Sequence, residues 1–121
     1  MTLERLRQLC LSMPGTTEQI QWGADLVFKV GGKMFCVART ETRPEAVALS
    51  FKCDAERFAE LVEREGVRPA PYLARAKWVA LDRFDTLPVR ELTPLLREAY
   101  ALVKAKLPKA TQLTLTPAPK S

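Results

Sequence analysis

The chain has 121 residues, 47% of them hydrophobic, and 19 Lys and Arg against 14 Asp and Glu leave a formal charge of +5. This size and composition predict one domain with a single core, and the charge falls short of a polybasic signature. The chain has no histidine, which removes the commonest general base, the commonest metal ligand and every Ser-His or Cys-His nucleophile; the expectation is a protein that is not an enzyme and carries no cofactor.

Thr2 is placed to cap a first helix, with Leu3, Leu6, Cys10 and Met13 recurring along one face. Pro14-Gly15 ends it. Thr16–Trp22 mixes polar and apolar residues and reads as a short edge strand. A hairpin follows about Gly31-Gly32, where a two-residue turn pairs Val30 with Lys33, Phe28 with Phe35 and Leu26 with Val37. Leu26, Phe28, Val30, Phe35 and Val37 would share the bulky, core-facing side. Val27, Lys29, Met34, Cys36 and Ala38 would share the smaller side, partly open to solvent or a partner.

Thr40–Glu45 is polar and reads as a loop. Ala46–Lys52 alternates again, with Val47, Leu49 and Phe51 inward and Ala48, Ser50 and Lys52 outward. Asp54 can cap a second helix with the inner stripe Phe58, Leu61 and Val62, and Gly66 suits its C′ position. Pro69 and Pro71 keep Val67–Ala76 out of regular helix. Lys77–Leu81 reads as a strand with Val79 and Leu81 inward and Trp78 and Ala80 outward. Thr93-Pro94 suits the cap and first position of a long last helix with inner residues Leu95, Leu96, Ala99, Leu102 and Val103. Pro108 stops it.

The order is helix, three or four strands, helix, one or two strands, helix. Short connections favour antiparallel pairing, so the expected fold is α+β: a two-layer sandwich of about five antiparallel strands with three helices. One domain spans 1–108, and 109–121 is expected to be a flexible tail. Cys10, Cys36 and Cys53 lack metal-ligand spacing and lie in or beside predicted elements, where a free cysteine acts as a small buried hydrophobe. Free cysteines favour a reducing compartment. No apolar run approaches membrane-span length, so no membrane partner and a cytoplasmic location are expected.

Two surfaces compete for function. The first joins Lys33, on a turn whose glycines let backbone amides approach an anion, to Arg39 and to the segment holding Arg68, Tyr72, Arg75, Lys77 and Trp78. There the cations would meet phosphates and the rings would stack on exposed bases. Its bland counterpart is a plain connector with solvated cations and packed rings. The second surface is the outer sheet face, with Lys29, Met34, Lys52 and Trp78, suited to a protein partner or a small ligand unless the Val67–Arg75 loop or the last helix covers it. Glu56, Glu60 and Glu63 read as a solvated helix face, and Asp82 and Asp85 as turn residues.

The fragments L-S-M-P-G-T (Leu11–Thr16), W-G-A-D-L-V-F-K-V-G-G-K-M-F (Trp22–Phe35) and V-R-P-A-P-Y-L-A-R-A-K-W-V-A-L (Val67–Leu81), followed by Ala99-Tyr100 and Lys106-Leu107-Pro108, resemble in their joint order the MmcQ/YjbR family. The resemblance implies a helix, three strands, helix, two strands, helix fold akin to secretion-chaperone-like domains. It also implies a "double wing" DNA-binding role and brings no catalytic residues. Tyr72 stands where some relatives carry His, and Ala99 where some carry Ser. The expectation is a small non-enzymatic domain binding DNA weakly and without sequence preference, against the alternative of a protein- or ligand-binding outer face.

Overall fold

In the computed structural model, residues 1–41, 47–71 and 73–115 are described. The elements are α1 (Leu3–Ser12), β1 (Thr16–Gln21), β2 (Asp25–Val30), β3 (Lys33–Arg39), β4 (Leu49–Lys52), α2 (Ala55–Leu61), β5 (Val67–Pro69), a 3₁₀ turn (Ala74–Ala76), β6 (Trp78–Leu81), α3 (Val89–Ala105) and α4 (Lys109–Thr114). All strand pairs are antiparallel, in the order β1-β2-β3-β4-β6-β5. The helices pack on one face: α1 on β1, α3 across β2, β3 and β4, and α2 on β5 and β6. The α+β sandwich is as expected, with six strands and four helices among the described residues rather than about five and three.

Local chemistry explains the element ends. The Thr2 hydroxyl accepts from the Arg5 amide and the Asp54 carboxylate from the Arg57 amide, capping α1 and α2. α2 ends earlier than its hydrophobic stripe suggests, so Gly66 (φ 81°) turns the chain into β5 instead of serving as C′. β5 is a three-residue edge strand inside the segment that its prolines keep out of regular helix, and Pro69 is tolerated because it lies at the sheet edge. α3 begins at Val89 with Pro88 as its cap and runs through Pro94. Thr93 and Pro94, expected as its cap and first position, therefore lie inside the helix.

The main correction concerns β3. Val30 faces Lys33 as expected, but the register then slips: Lys29 faces Met34 and Phe28 faces Cys36. Phe35 is the extra residue of a β-bulge, which exchanges the two faces from that point onward. Phe35, Cys36 and Ala38 all enter the main core, while Val37 turns to the outer face with Met34. The expected inward Val37 and outward Cys36 and Ala38 are thus reversed. Val47 is displaced in the same way: it packs on the outer face, and Ala48 packs against the main core.

Phe28, Phe35 and Phe51 are fully buried beneath α3 with Leu92, Leu96 and Ala99. Burying each phenyl ring contributes about 2–3 kcal/mol. Phe35 meets Tyr100 edge-to-face, with ring centroids 5.6 Å apart, and the Tyr100 hydroxyl donates to the Pro14 carbonyl at 2.5 Å. The two contacts tie α3, β3 and the end of α1 together. At the sheet edge, Arg7 of α1 donates Nε and Nη2 to the Glu18 carboxylate at 2.9 and 2.5 Å. These hydrogen bonds hold the Glu18 carboxyl below the usual carboxylate range, so stability from the pair is present at neutral pH and lost as pH falls through that lowered value.

Part of the 109–121 segment expected as a tail carries regular structure. Lys109–Thr114 is helical and Leu115 is buried against Gly15; 116–121 lie outside the described residues. Likewise Gly31 is needed for more than its turn. A Cβ there would lie 2.5 Å from Leu107 Cδ1, whereas at Gly32 it would meet nothing within 4 Å. Both glycines have positive φ, 57° and 80°, so alanine costs roughly 1 kcal/mol of backbone strain at either. Gly31→Ala will therefore lower urea-unfolding stability clearly more than Gly32→Ala, and a Leu107→Ala background will narrow the gap. Equal losses would contradict the packing of Leu107 on the hairpin.

Candidate functional site

The bulge determines what the outer sheet face carries. Beyond it, β3 presents Val37 between Val27 of β2 and Ser50 of β4, and Arg39 opposite Asp25. Ala80 of β6 lies beside Ser50 on the same face. Ala70 and Leu73 pack over β6, so that Ala70, Trp78 and Ala80 form a second buried cluster flanked by Met34, Val37, Val47 and Leu73. Between this cover and the β1–β2 turn the face is open among the described residues. A groove of about 500 Å³ remains, floored by Met34, Val37 and Ser50, walled by Val47, Pro71 and Leu73, and rimmed by Trp22, Asp25 and Arg39.

Two features of the groove stand out physically. Ser50 is the one buried polar side chain among the described residues, 9% exposed, and its hydroxyl has no hydrogen-bond partner among them. It opens into the groove, between neighbours that are apolar. Trp22 is 68% exposed and has φ 51°, a left-handed conformation that costs a bulky residue roughly 1–2 kcal/mol. Gly23, at φ 89°, completes the turn. Arg39 is held at the rim by donating Nε to the Val47 carbonyl at 3.3 Å.

The cations expected to form one nucleic-acid surface divide. Lys33, Arg75 and Lys77 are exposed at the sheet end that carries the Gly31-Gly32 turn. Lys77 sits at φ 65° with its Nζ 5.2 Å from the centre of the Phe58 ring. Arg39 lies at the far end of β3, about 20 Å from Lys33 by strand rise, and belongs to the groove. Arg68 is neutralised by Asp82 at 2.9 Å. Trp78 is 3% exposed under Ala70 and Leu73, which corrects its expected roles as a base-stacking ring on the first surface and an open lining residue on the second. Tyr72 lies outside the described residues.

Of the outer-face set, Met34 lines the groove and Lys29 is half-buried beside it in register. Lys52 points away toward the hairpin end, where its Nζ donates to the Ala76 carbonyl at 2.9 Å. Burial, and then the nearby Lys106, lower its pKa. Lys106 is a residue that sequence reasoning missed: it ends α3, whose last turn packs against the hairpin through Leu107. Only the crossing of α3 over the sheet brings it beside Lys52, and no local pattern announces that. Asp54, the α2 cap, follows Lys52 at the same end.

The cysteines are all buried. Burial, followed by contact with Cys10, pushes the Cys36 thiol up, and burial with nearby Glu98 and Asp54 pushes Cys53 up to about 12. No group of metal-ligating side chains occurs among the described residues, and no helix there is long and apolar enough to cross a membrane.

With the geometry in view, comparisons place the chain among known proteins. The YjbR family model matches residues 11–102. The fold is similar to that of DR2400 of Deinococcus radiodurans, a crystal structure with a DUF419 domain: 32% identity, TM-score 0.82, covering 94% of this chain and 87% of that one. A Pseudomonas syringae protein of 15% identity shares the fold, with TM-score 0.69 over 85% of this chain and 99% of its own. No curated protein matches.

Two outcomes follow. Trp22→Asn, which accepts the left-handed backbone more readily, will raise thermal stability by roughly 1 kcal/mol; a loss of that size would show that the exposed indole packs. At pH 8 a thiol reagent will modify none of the three cysteines in the native protein and all three after unfolding, whereas rapid native-state reaction at Cys53 would contradict its burial.

Proposed function

The chain belongs to the YjbR family, and from that membership and its charge distribution we propose that it is a non-enzymatic domain that binds nucleic acid through the phosphate backbone. The observation that carries the reading is the gathering of Lys33, Lys52, Arg75, Lys77 and Lys106 at the hairpin end of the sheet. They come from β3, β4, the segment before β6, and the end of α3. Among the described residues Lys33, Arg75, Lys77 and Lys106 make no ion pair, whereas Arg7, Arg57, Arg64, Arg68 and Arg83 are all paired to carboxylates.

The exposed lysine ammonium groups are point charges suited to phosphate oxygens, and the Arg75 guanidinium adds a fork that can bind a phosphate through two N–H groups. Trp78 is buried and therefore adds no base stacking at this surface. Binding is then electrostatic, weak and independent of sequence. The reading places the protein inside the cell, where its thiols stay reduced.

Fluorescence anisotropy with a labelled duplex, repeated over a salt series, tests this. Five phosphate contacts give a log–log slope of about −4 to −5 against salt. Lys33→Ala, Lys77→Ala and Lys106→Ala will each reduce that slope by about 1, and Arg68→Ala, already neutralised by Asp82, will leave it unchanged. A flat titration at low salt, or equal effects from all four variants, would overturn the proposal.

A further inference from the structure

We propose that the groove on the outer sheet face is a binding site for a neutral, planar heteroaromatic molecule. In this site the ring lies between Trp22 and the Met34–Val37 floor, and its polar edge meets Ser50, Asp25 and Arg39. The groove is distinct from the phosphate surface, since Lys33, Lys52 and Lys77 do not line it, so the inference does not rest on nucleic-acid binding.

Its volume, about 500 Å³, is in the range that holds small molecules, and its make-up of apolar walls with a few convergent polar groups is typical of such sites. Three observations select the ligand. First, Ser50 is 9% exposed, and its hydroxyl, unpartnered among the described residues, is reached from the groove. Its cross-strand neighbours on that face, Val37 and Ala80, are apolar, so a serine there calls for a hydrogen-bonding partner from outside the chain. Second, Trp22 stands exposed at the rim in a left-handed conformation, and Met34 lies in the floor. An indole face and a thioether both favour an aromatic ring over a saturated one.

Third, Asp25 and Arg39 are cross-strand partners at the open end. Their charges oppose, so a ligand of either net charge would gain from one and lose to the other. A neutral edge carrying a donor beside an acceptor satisfies both: the Asp25 carboxylate accepts, and the Arg39 guanidinium, with Nε on the Val47 carbonyl, donates from its remaining N–H groups. A purine or pterin ring has this edge.

The full-length protein is titrated with adenosine, with naphthalene sulfonate as an anionic ring and with phenylalanine as a zwitterion. The readouts are saturation-transfer NMR and iodide quenching of tryptophan emission. Because Trp78 is buried, iodide reports on Trp22. Adenosine is expected to bind in preference to the other two and to shield Trp22. Ser50→Ala and Asp25→Asn, each confirmed folded by its melting curve, are expected to weaken it about three- to tenfold. Displacement of adenosine by an oligo(dA) strand would identify the ring as a base within a nucleic acid, and its persistence would identify a free small molecule; both support the site. Preference for the sulfonate or the amino acid, binding unaffected by both variants, or no binding of adenosine at millimolar concentration would overturn the inference. Adenosine carries no phosphate, so its failure leaves the duplex titration untouched.

Discussion

The bulge at Phe35 is the constraint on which the rest of the molecule depends. One extra residue lets β3 send two consecutive side chains, Phe35 and Cys36, into the core. The inward turn is anchored, since Phe35 stacks edge-on against Tyr100 and Tyr100 binds the carbonyl that ends α1. Beyond that point every side chain of β3 changes face. Val37 and Arg39 arrive on the outer side, where they form part of the floor and rim of the groove. Without the extra residue they would point at the helices, and an arginine would have to be buried at considerable cost.

The same sheet then separates two surfaces. All the helices lie on one side, leaving the outer face to be covered by the chain itself. Among the described residues Ala70 and Leu73 cover β6, sealing Trp78 and leaving β2, β3 and β4 partly open. At the hairpin end, the last turn of α3 and the approach to β6 bring lysines from distant parts of the chain together. At the other end, Arg68 of β5 pairs with Asp82, just after β6, and Arg64, past the end of α2, pairs with Glu91 of α3. A modest net charge is thereby concentrated at one end without a basic run in the sequence.

Much of this was legible in the residues. Thr2 and Asp54 mark the starts of helices because their side chains satisfy orphan amides, and Gly31-Gly32 marks the hairpin because its turn needs positive φ. The bulge was not legible. Lys33–Arg39 reads K-M-F-C-V-A-R, apolar at every interior position, so either register places hydrophobic residues inward and the alternation cannot choose. The fate of Trp78 depends on a proline-containing segment folding back over it, a tertiary event with no local signal. Ser50 looked like an ordinary outward residue until the register placed it in an apolar setting. Lys106 and the helix before Leu115 were hidden for a related reason, because both depend on how α3 lies across the sheet.

The claim that the bulge exchanges the faces of β3 is tested most directly by thiol labelling of two adjacent positions, Val37→Cys and Ala38→Cys, in the otherwise native chain with its buried cysteines. The account predicts that a maleimide labels the cysteine at 37, which opens into the groove, and leaves the one at 38, sealed beneath α3, unmodified until the protein unfolds. Labelling at 38 with protection at 37 would restore the unbulged register and remove the groove from the account.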